Sequence, residues 1–150
     1  KLNTKYILSV LLYGAESWKT TSTIELKLEV FQNKCLRRIL KIFWPNTVSN
    51  EDMRNRTGIS PIAEVIQKRR WLWLGHVLRM STLSIPRTAL RWTPQGRRGR
   101  GRPKETWRGT IDKDLKAKGL IINTATKIAE DRAKWKSLAI ASRAKRHRED

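Results

Sequence analysis

The sequence predicts an all-α fold: a small helical bundle of about five helices, with a disordered basic Gly/Arg loop and a basic C-terminal tail. Three observations lead there. Apolar residues recur at spacings of three and four along most of the chain, the signature of one face of a helix. Cap and stop residues bracket those periodic segments. Strand-like alternation is nearly absent, with Thr88 to Thr93 the one doubtful stretch. A chain of 150 residues can bury roughly two-thirds of its unfolded surface. Its hydrophobic fraction of 39% lies a little below the usual ~45–50%. Seven Trp offset part of that deficit, since each can bury on the order of 200 Å².

Residues 1–13 read as a short apolar helix that Gly14 terminates. Ser22-Thr-Ile-Glu25 is a capping-box pattern: the hydroxyl serves a free amide three residues on, and the Glu reaches back. Behind it Ile24, Leu28, Phe31, Cys35, Ile39 and Ile42 form one stripe expected to be buried, with Lys34, Arg37, Arg38 and Lys41 off it. Trp44-Pro45 is expected to end this helix, because Pro disfavours helical backbone in the residue before it. Ser49 to Thr57 makes a short helix stopped by Gly58. Ser60-Pro61 then opens a helix that runs to about Met80, with Ile62, Val65, Ile66, Arg69, Trp73, His76, Val77 and Met80 along one side. Gly75 sits inside it at a cost of roughly 1 kcal/mol relative to Ala, which a close helix crossing would explain.

Pro103 can start a further helix in which Trp107, Ile111 and Leu115 lie four apart and Gly119 is the terminator. A last helix begins near Thr124, carries Ile128, Arg132, Trp135 and Leu138, and frays into Arg143–Arg148. The expected organisation is a helical region over 1–80, a flexible basic loop over 81–104, and a C-terminal helical pair with a basic tail over 105–150. Because the chain begins at Lys1 and not at Met, it is expected to be a piece of something longer, or a processed form.

Charge says more about partners than about fold. There are 33 Lys+Arg against 13 Asp+Glu, a net charge of +20, which predicts strong attraction to polyanions. From Arg87 to Arg108 eight residues are basic and one, Glu105, is acidic. The centre of that stretch, Gln95 to Lys104, has no apolar residue and cannot offset the entropy of ordering by burial. Within it Arg100-Gly101-Arg102-Pro103, flanked by Arg97, Arg98 and Lys104, looks like the core of an AT-hook. Such a narrow backbone fits a minor groove, where Arg meets the enhanced negative potential of A·T tracts. The same residues could instead form a solvated linker that touches phosphates without sequence preference. Lys34, Arg37, Arg38 and Lys41, and the run Lys68, Arg69 and Arg70, could track a phosphate backbone or be solvated helix faces. Trp71 falls off the apolar stripe and is the ring expected at the surface, where bases could stack. Trp18, Trp44, Trp73, Trp107 and Trp135 are expected in the core.

Other chemistry finds little support. Cys35 is alone, so no intramolecular disulfide is possible, and with only His76 and His147, far apart, a zinc site is not expected. No apolar run approaches the ~20 residues of a membrane span. Asp112 and Asp114 point to different sides of a helix, and His76 is expected in the interior. There is no P-loop and no nucleophile elbow. No catalytic residue, metal or cofactor is therefore assigned to this chain.

Several strings now fall in order: Leu12-Tyr-Gly-Ala-Glu-Ser-Trp18, Phe31-Gln-Asn-Lys-Cys-Leu-Arg-Arg-Ile-Leu40, Arg56-Thr-Gly58, Ile66-Gln-Lys-Arg-Arg-Trp-Leu-Trp-Leu-Gly-His-Val-Leu-Arg-Met80 and Gly101-Arg-Pro-Lys-Glu-Thr-Trp107. As an ordered series, from about Leu8 to Leu138, they resemble the C-terminal part of the endonuclease–reverse transcriptases of non-LTR (LINE-like) retrotransposons. The resemblance implies the stretch after the polymerase palm, so that 1–80 would be thumb-like. The parent would be an RNA-directed DNA polymerase with endonuclease, using magnesium. Its aromatic-Ala-Asp-Asp box is absent here, as is the Cys/His knuckle of some related elements, so no catalytic residue carries over. The implied partners are RNA, DNA or an RNA–DNA hybrid and the upstream palm, with no membrane. The implied location is the nucleus, after a cytoplasmic ribonucleoprotein stage. A thumb closes on primer–template duplex, which would be gripped by shape and backbone.

Overall fold

Hydroxyl side chains open several helices of this chain. The computed structural model describes residues 2–93, 95, 96, 101 and 106–141, and side chains from Tyr6 onward. Over these residues the chain is all-α: α1 (Leu2–Leu11), a 3-10 turn (Ala15–Ser17), α2 (Ser22–Ile39), α3 (Asn50–Thr57), α4 (Ile62–Arg79), α5 (Ile85–Arg91), α6 (Trp107–Lys116), α7 (Ile122–Glu130) and α8 (Arg132–Ala141). Thr21, Ser49 and Thr106 each accept a backbone N–H at the start of their helices. Gly58 and Gly119 close α3 and the turn after α6 in the left-handed region, at φ 66° and 68°, where a Cβ would be strained.

The chain divides into two compact units, residues 1–69 and 70–150, with the boundary inside α4. In the first, Leu12, Ala15, Ile62 and Ile66 form a small core, with Leu8, Leu11, Trp18, Leu28 and Val65 packed on it. Polar ties hold the helices in register. Gln32 donates to the Ser60 carbonyl at 3.1 Å, Arg69 to the Leu12 carbonyl at 2.6 Å, and Arg54 pairs with Glu29 at 2.8 Å.

The second unit has the larger core. Trp71, Leu74, Val77, Leu78, Leu90, Ile111, Leu115 and Trp135 pack with Ala125, Ala129 and Ala139. Trp135 lies against the helix backbone at Gly75, where a Cβ would come within 2.2 Å of its indole nitrogen. That nitrogen donates to the Trp71 carbonyl at 2.7 Å, and the two indole rings are 5.2 Å apart and tilted by 40°. Trp73 and Trp107 meet edge to face at 5.2 Å. The Lys118 ammonium sits 4.4 Å above the Trp71 ring and donates to the Leu138 carbonyl. Burial pushes that amine below its ordinary range, with Asp114 opposing the shift.

The all-α expectation holds, as does the close crossing at Gly75. Several details differ. There are eight α-helices among the described residues, not about five. Thr88 to Thr93 is not extended: most of it lies in α5. The last helix is two, because the Asp131 carboxylate accepts from the Ala133 and Lys134 amides at 2.9 and 3.1 Å and starts a new helix. The cap of α2 is Thr21 and not Ser22, one residue earlier. The same helix ends at Ile39, before Pro45: the Ile42 amide bonds back to the Arg37 carbonyl at 2.9 Å while Lys41 turns left-handed at φ 54°.

The largest correction concerns which faces are covered. On α2 the buried positions are Gln32, Asn33 and Leu36, and the expected stripe keeps Ile24, Phe31 and Ile39 exposed. On α4 the buried ridge runs through Ile62, Ile66, Arg70, Leu74 and Leu78, a strict spacing of four. That ridge takes Trp71 into the core and leaves His76 exposed, the reverse of the expectation for both. Trp44, expected inside, is 88% exposed. The second half of α4 belongs with the C-terminal helices, and the compact units part at 69/70.

Two measurements follow from this packing. Gly75→Ala should lower stability by about 1–3 kcal/mol through overpacking, despite gaining ~1 kcal/mol in helix propensity, and Trp135→Ala should cost roughly 3–5 kcal/mol. Urea unfolding followed by Trp fluorescence reads both, and an unchanged midpoint for Gly75→Ala would contradict the crossing. The Lys134 amide first, helped by the Ala133 amide and the Lys134 charge and opposed by some desolvation, holds the Asp131 carboxyl below its ordinary 3.8. A carboxyl with a folded pKa below its unfolded one stabilises above the unfolded value, and that stability is lost as pH falls through the folded value. Asp131→Asn should keep a cap acceptor but flatten the melting-temperature profile below pH 3.8, measured by circular dichroism.

Candidate nucleic-acid interface

On an open helix face, a basic side chain tracks a phosphate backbone when its charged end stays in solvent and is not committed elsewhere. Lys34 and Arg38 on α2 meet the first condition: both are exposed. They line one shallow groove with Phe31 and Cys35, one to two turns apart on the same helix face. The basic residues are thus set beside the apolar stripe and not apart from it. Phe31 is 44% exposed in the same groove, where a ring can stack on a base or pack on a partner. Lys41 is exposed in the turn after α2, and Lys68 is exposed on α4.

The other helix residues are placed differently. Arg37 is half-buried and donates to the Asn50 side chain at 2.6 Å, joining α2 to α3. Arg69 is bonded to the Leu12 carbonyl. Arg70 is only 3% exposed and faces Asp114 of α6 at 3.4 Å. It belongs to the interior of the second unit and does not present its charge to a backbone outside. The periodic pattern could not distinguish these cases, because an Arg that stitches helices together occupies the same kind of position as one that points to solvent. Arg97, Arg98, Arg100, Arg102 and Lys104 lie outside the described residues.

A second basic cluster was not singled out from the sequence. Arg87 and Arg91 on α5 and Arg108 on α6 line one cleft of the second unit. Arg87 is 4% exposed, and its Nε and Nη1 find no hydrogen-bond partner among the described residues. Burial first, and the Arg91 charge second, push its guanidinium below its ordinary range. Arg91 and Arg108 are exposed, and Arg108 donates to the Arg91 carbonyl at 3.4 Å. The available signal was an Arg pair four residues apart, which becomes visible only once 85–91 is read as a helix.

Among the described residues no three His, Cys, Asp or Glu side chains gather as a metal site would require. No helix there is long and apolar enough to cross a membrane. The fold and its surface define an all-α, strongly basic chain with exposed cations on two separate units. No family model matches the chain, and no solved structure does. It is 26% identical over 137 residues to an uncharacterized transposon-derived protein of Caenorhabditis elegans, an alignment covering 86% of this chain and 49% of that protein. The chain thus spans about half the length of the curated relative it matches, and that likeness is consistent with a transposon origin.

Substitutions separate the two kinds of Arg. Arg70→Met should destabilise the fold by roughly 3–5 kcal/mol, since it removes one partner of a largely buried ion pair. Lys34→Ala with Arg38→Ala should stay within about 0.5 kcal/mol of wild type per site and weaken nucleic-acid binding. Urea midpoints beside anisotropy titrations report the two effects independently.

Proposed function

We propose that this chain is the nucleic-acid-binding C-terminal segment of a retrotransposon reverse transcriptase, gripping primer–template or target DNA through basic helices and an AT-hook-like loop. The observation that carries the reading is the exposed cationic face of α2, Lys34 and Arg38 beside Phe31, in a chain of net charge +20. The ordered motifs shared with non-LTR elements and the transposon-derived relative support the same origin. Phosphates would be held mainly by Lys34, Arg38, Lys41 and Lys68, and the Arg97–Lys104 loop would supply minor-groove or phosphate contacts. Such contacts read shape and charge, not sequence, as suits a grip on an A-form-like hybrid. The chain is proposed to have no catalysis of its own. The parent polymerase would supply the carboxylates and magnesium, and the segment would act in the nucleus.

A second reading is favoured by a different surface. Tyr6, Ile7, Val10, Leu11 and Phe31 line an open apolar groove of about 440 Å³, and Val10 is 79% exposed. In that reading the first unit docks on the polymerase palm through this groove, with no independent nucleic-acid binding.

Fluorescence anisotropy with random duplex, A·T-rich duplex and RNA–DNA hybrid probes, each across a salt series, discriminates the readings. Binding by n phosphate contacts predicts log K falling with log salt at a slope of roughly −0.9n for duplex DNA. An A·T preference lost on Arg100→Ala with Arg102→Ala would place the loop in the minor groove. Folded protein that shows no salt-dependent binding would leave docking as the function.

A further inference from the structure

The cleft beside Arg87 has the features of a built anion site. It holds about 150 Å³, roughly ten times the ~10–15 Å³ that one water needs by the same measure. Its lining includes three guanidinium groups, Arg87, Arg91 and Arg108, against one carboxylate, Asp112, so the lining is net positive. Asp112 and two of the arginines are exposed, whereas Arg87 is 4% exposed. A buried guanidinium is costly to leave unpaired. Yet Nε and Nη1 of Arg87 have no partner among the described residues. Arg87 lines the cleft, and the nearby Arg91 charge adds to the cost of leaving its guanidinium unpaired.

A third helix end meets the same cleft. Ile122 and Asn123, the first residues of α7, line it. The α7 cap position is Ile121, whose side chain cannot accept a hydrogen bond, so no side chain caps the first turn. First-turn amides of a helix lack internal partners and carry the positive end of its dipole, the arrangement that binds phosphate. Buried Arg, exposed Arg pair and uncapped nine-residue helix converge on one space from α5, α6 and α7.

We propose that this cleft binds one phosphate group, and that in the working protein the group is a phosphodiester of the bound nucleic acid. The source assignment rests on the nucleic-acid reading above; the anion site itself rests only on the cleft. Arg87 would turn its two unpartnered nitrogens, Nε and Nη1, onto the phosphate from the inner wall. Arg91 and Arg108 would close on it from the rim, and the α7 amides would complete the cradle. A fixed anchor of this kind sets where the backbone sits on the second unit, whereas mobile surface Lys side chains do not.

The test uses the full 150-residue chain, inorganic phosphate, and a duplex oligonucleotide at several salt concentrations. Titration with inorganic phosphate should shift the Ile122 and Asn123 amide resonances, and Arg87→Gln should weaken that titration about tenfold or more. If Arg87→Gln does not fold, Arg91→Gln with Arg108→Gln changes only exposed residues and should weaken the same titration. In that double variant the salt slope for duplex binding should drop by about 0.9, one phosphate contact. Duplex binding with an unchanged slope, and phosphate titration equal to wild type, would overturn the cleft while leaving the nucleic-acid reading intact. Phosphate shifts in a protein that binds no oligonucleotide would overturn the phosphodiester source and the nucleic-acid reading, and keep the anion site.

Discussion

The indole of Trp135 lies in a groove that exists only because residue 75 has no side chain. Its N–H reaches through that gap to the Trp71 carbonyl, which already lies within a helix and accepts on its second lone pair. The contact places α8 against α4, and the small residues Ala125, Ala129 and Ala139 let neighbouring backbone come close enough to seal the same core. Trp71 then meets both the Trp135 ring and the Lys118 ammonium. With α8 and α4 fixed, α6 packs through Ile111 and Leu115, and the N-terminal end of α7 comes to the cleft lined by Arg87, Arg91 and Arg108. The cationic cleft is therefore a consequence of one close helix crossing.

A chain with so many cations must decide which to solvate. Here the decision is visible residue by residue. Arg54, Arg69, Arg70 and Arg79 are spent on carboxylates and backbone carbonyls that join helices. A planar, multi-donor guanidinium suits that task because it can satisfy several acceptors without losing its charge. Lys34, Arg38, Lys41 and Lys68 stay in solvent. Arg87 belongs to neither group: it is buried like Arg70 and unpaired at two nitrogens among the described residues. That mismatch with the ordinary rule for buried charge singles it out.

How much of this was legible depends on the kind of signal. The start of α3, the stops at Gly58 and Gly119, and the crossing at Gly75 were readable from single residues whose backbone chemistry is local, whereas α6 starts at Trp107 behind the Thr106 hydroxyl and not at Pro103. The cap of α2 was misplaced by one residue because Thr21, Ser22 and Thr23 are all competent caps. The break between α7 and α8 was missed because Asp131 reads as helix surface until its carboxylate turns to the next two amides. Trp71 and His76 were assigned to the wrong faces, since a stripe with spacings of three and four can be drawn along α4 in more than one way.

What the sequence determined by itself is the helical class, several helix ends, and the excess of positive charge, because caps, stops and apolar spacing act over one or two turns and charge is additive. The tertiary structure decided which face of α2 and α4 is covered and which arginines are free. It also brought Arg87, Arg91 and Arg108 to one cleft. Those outcomes turn on partners far away in the chain, such as Trp135 for Trp71, 64 residues off, and Asp114 for Arg70 at 44. A local pattern cannot carry that information, because the free energy that selects a face comes from the surface it meets.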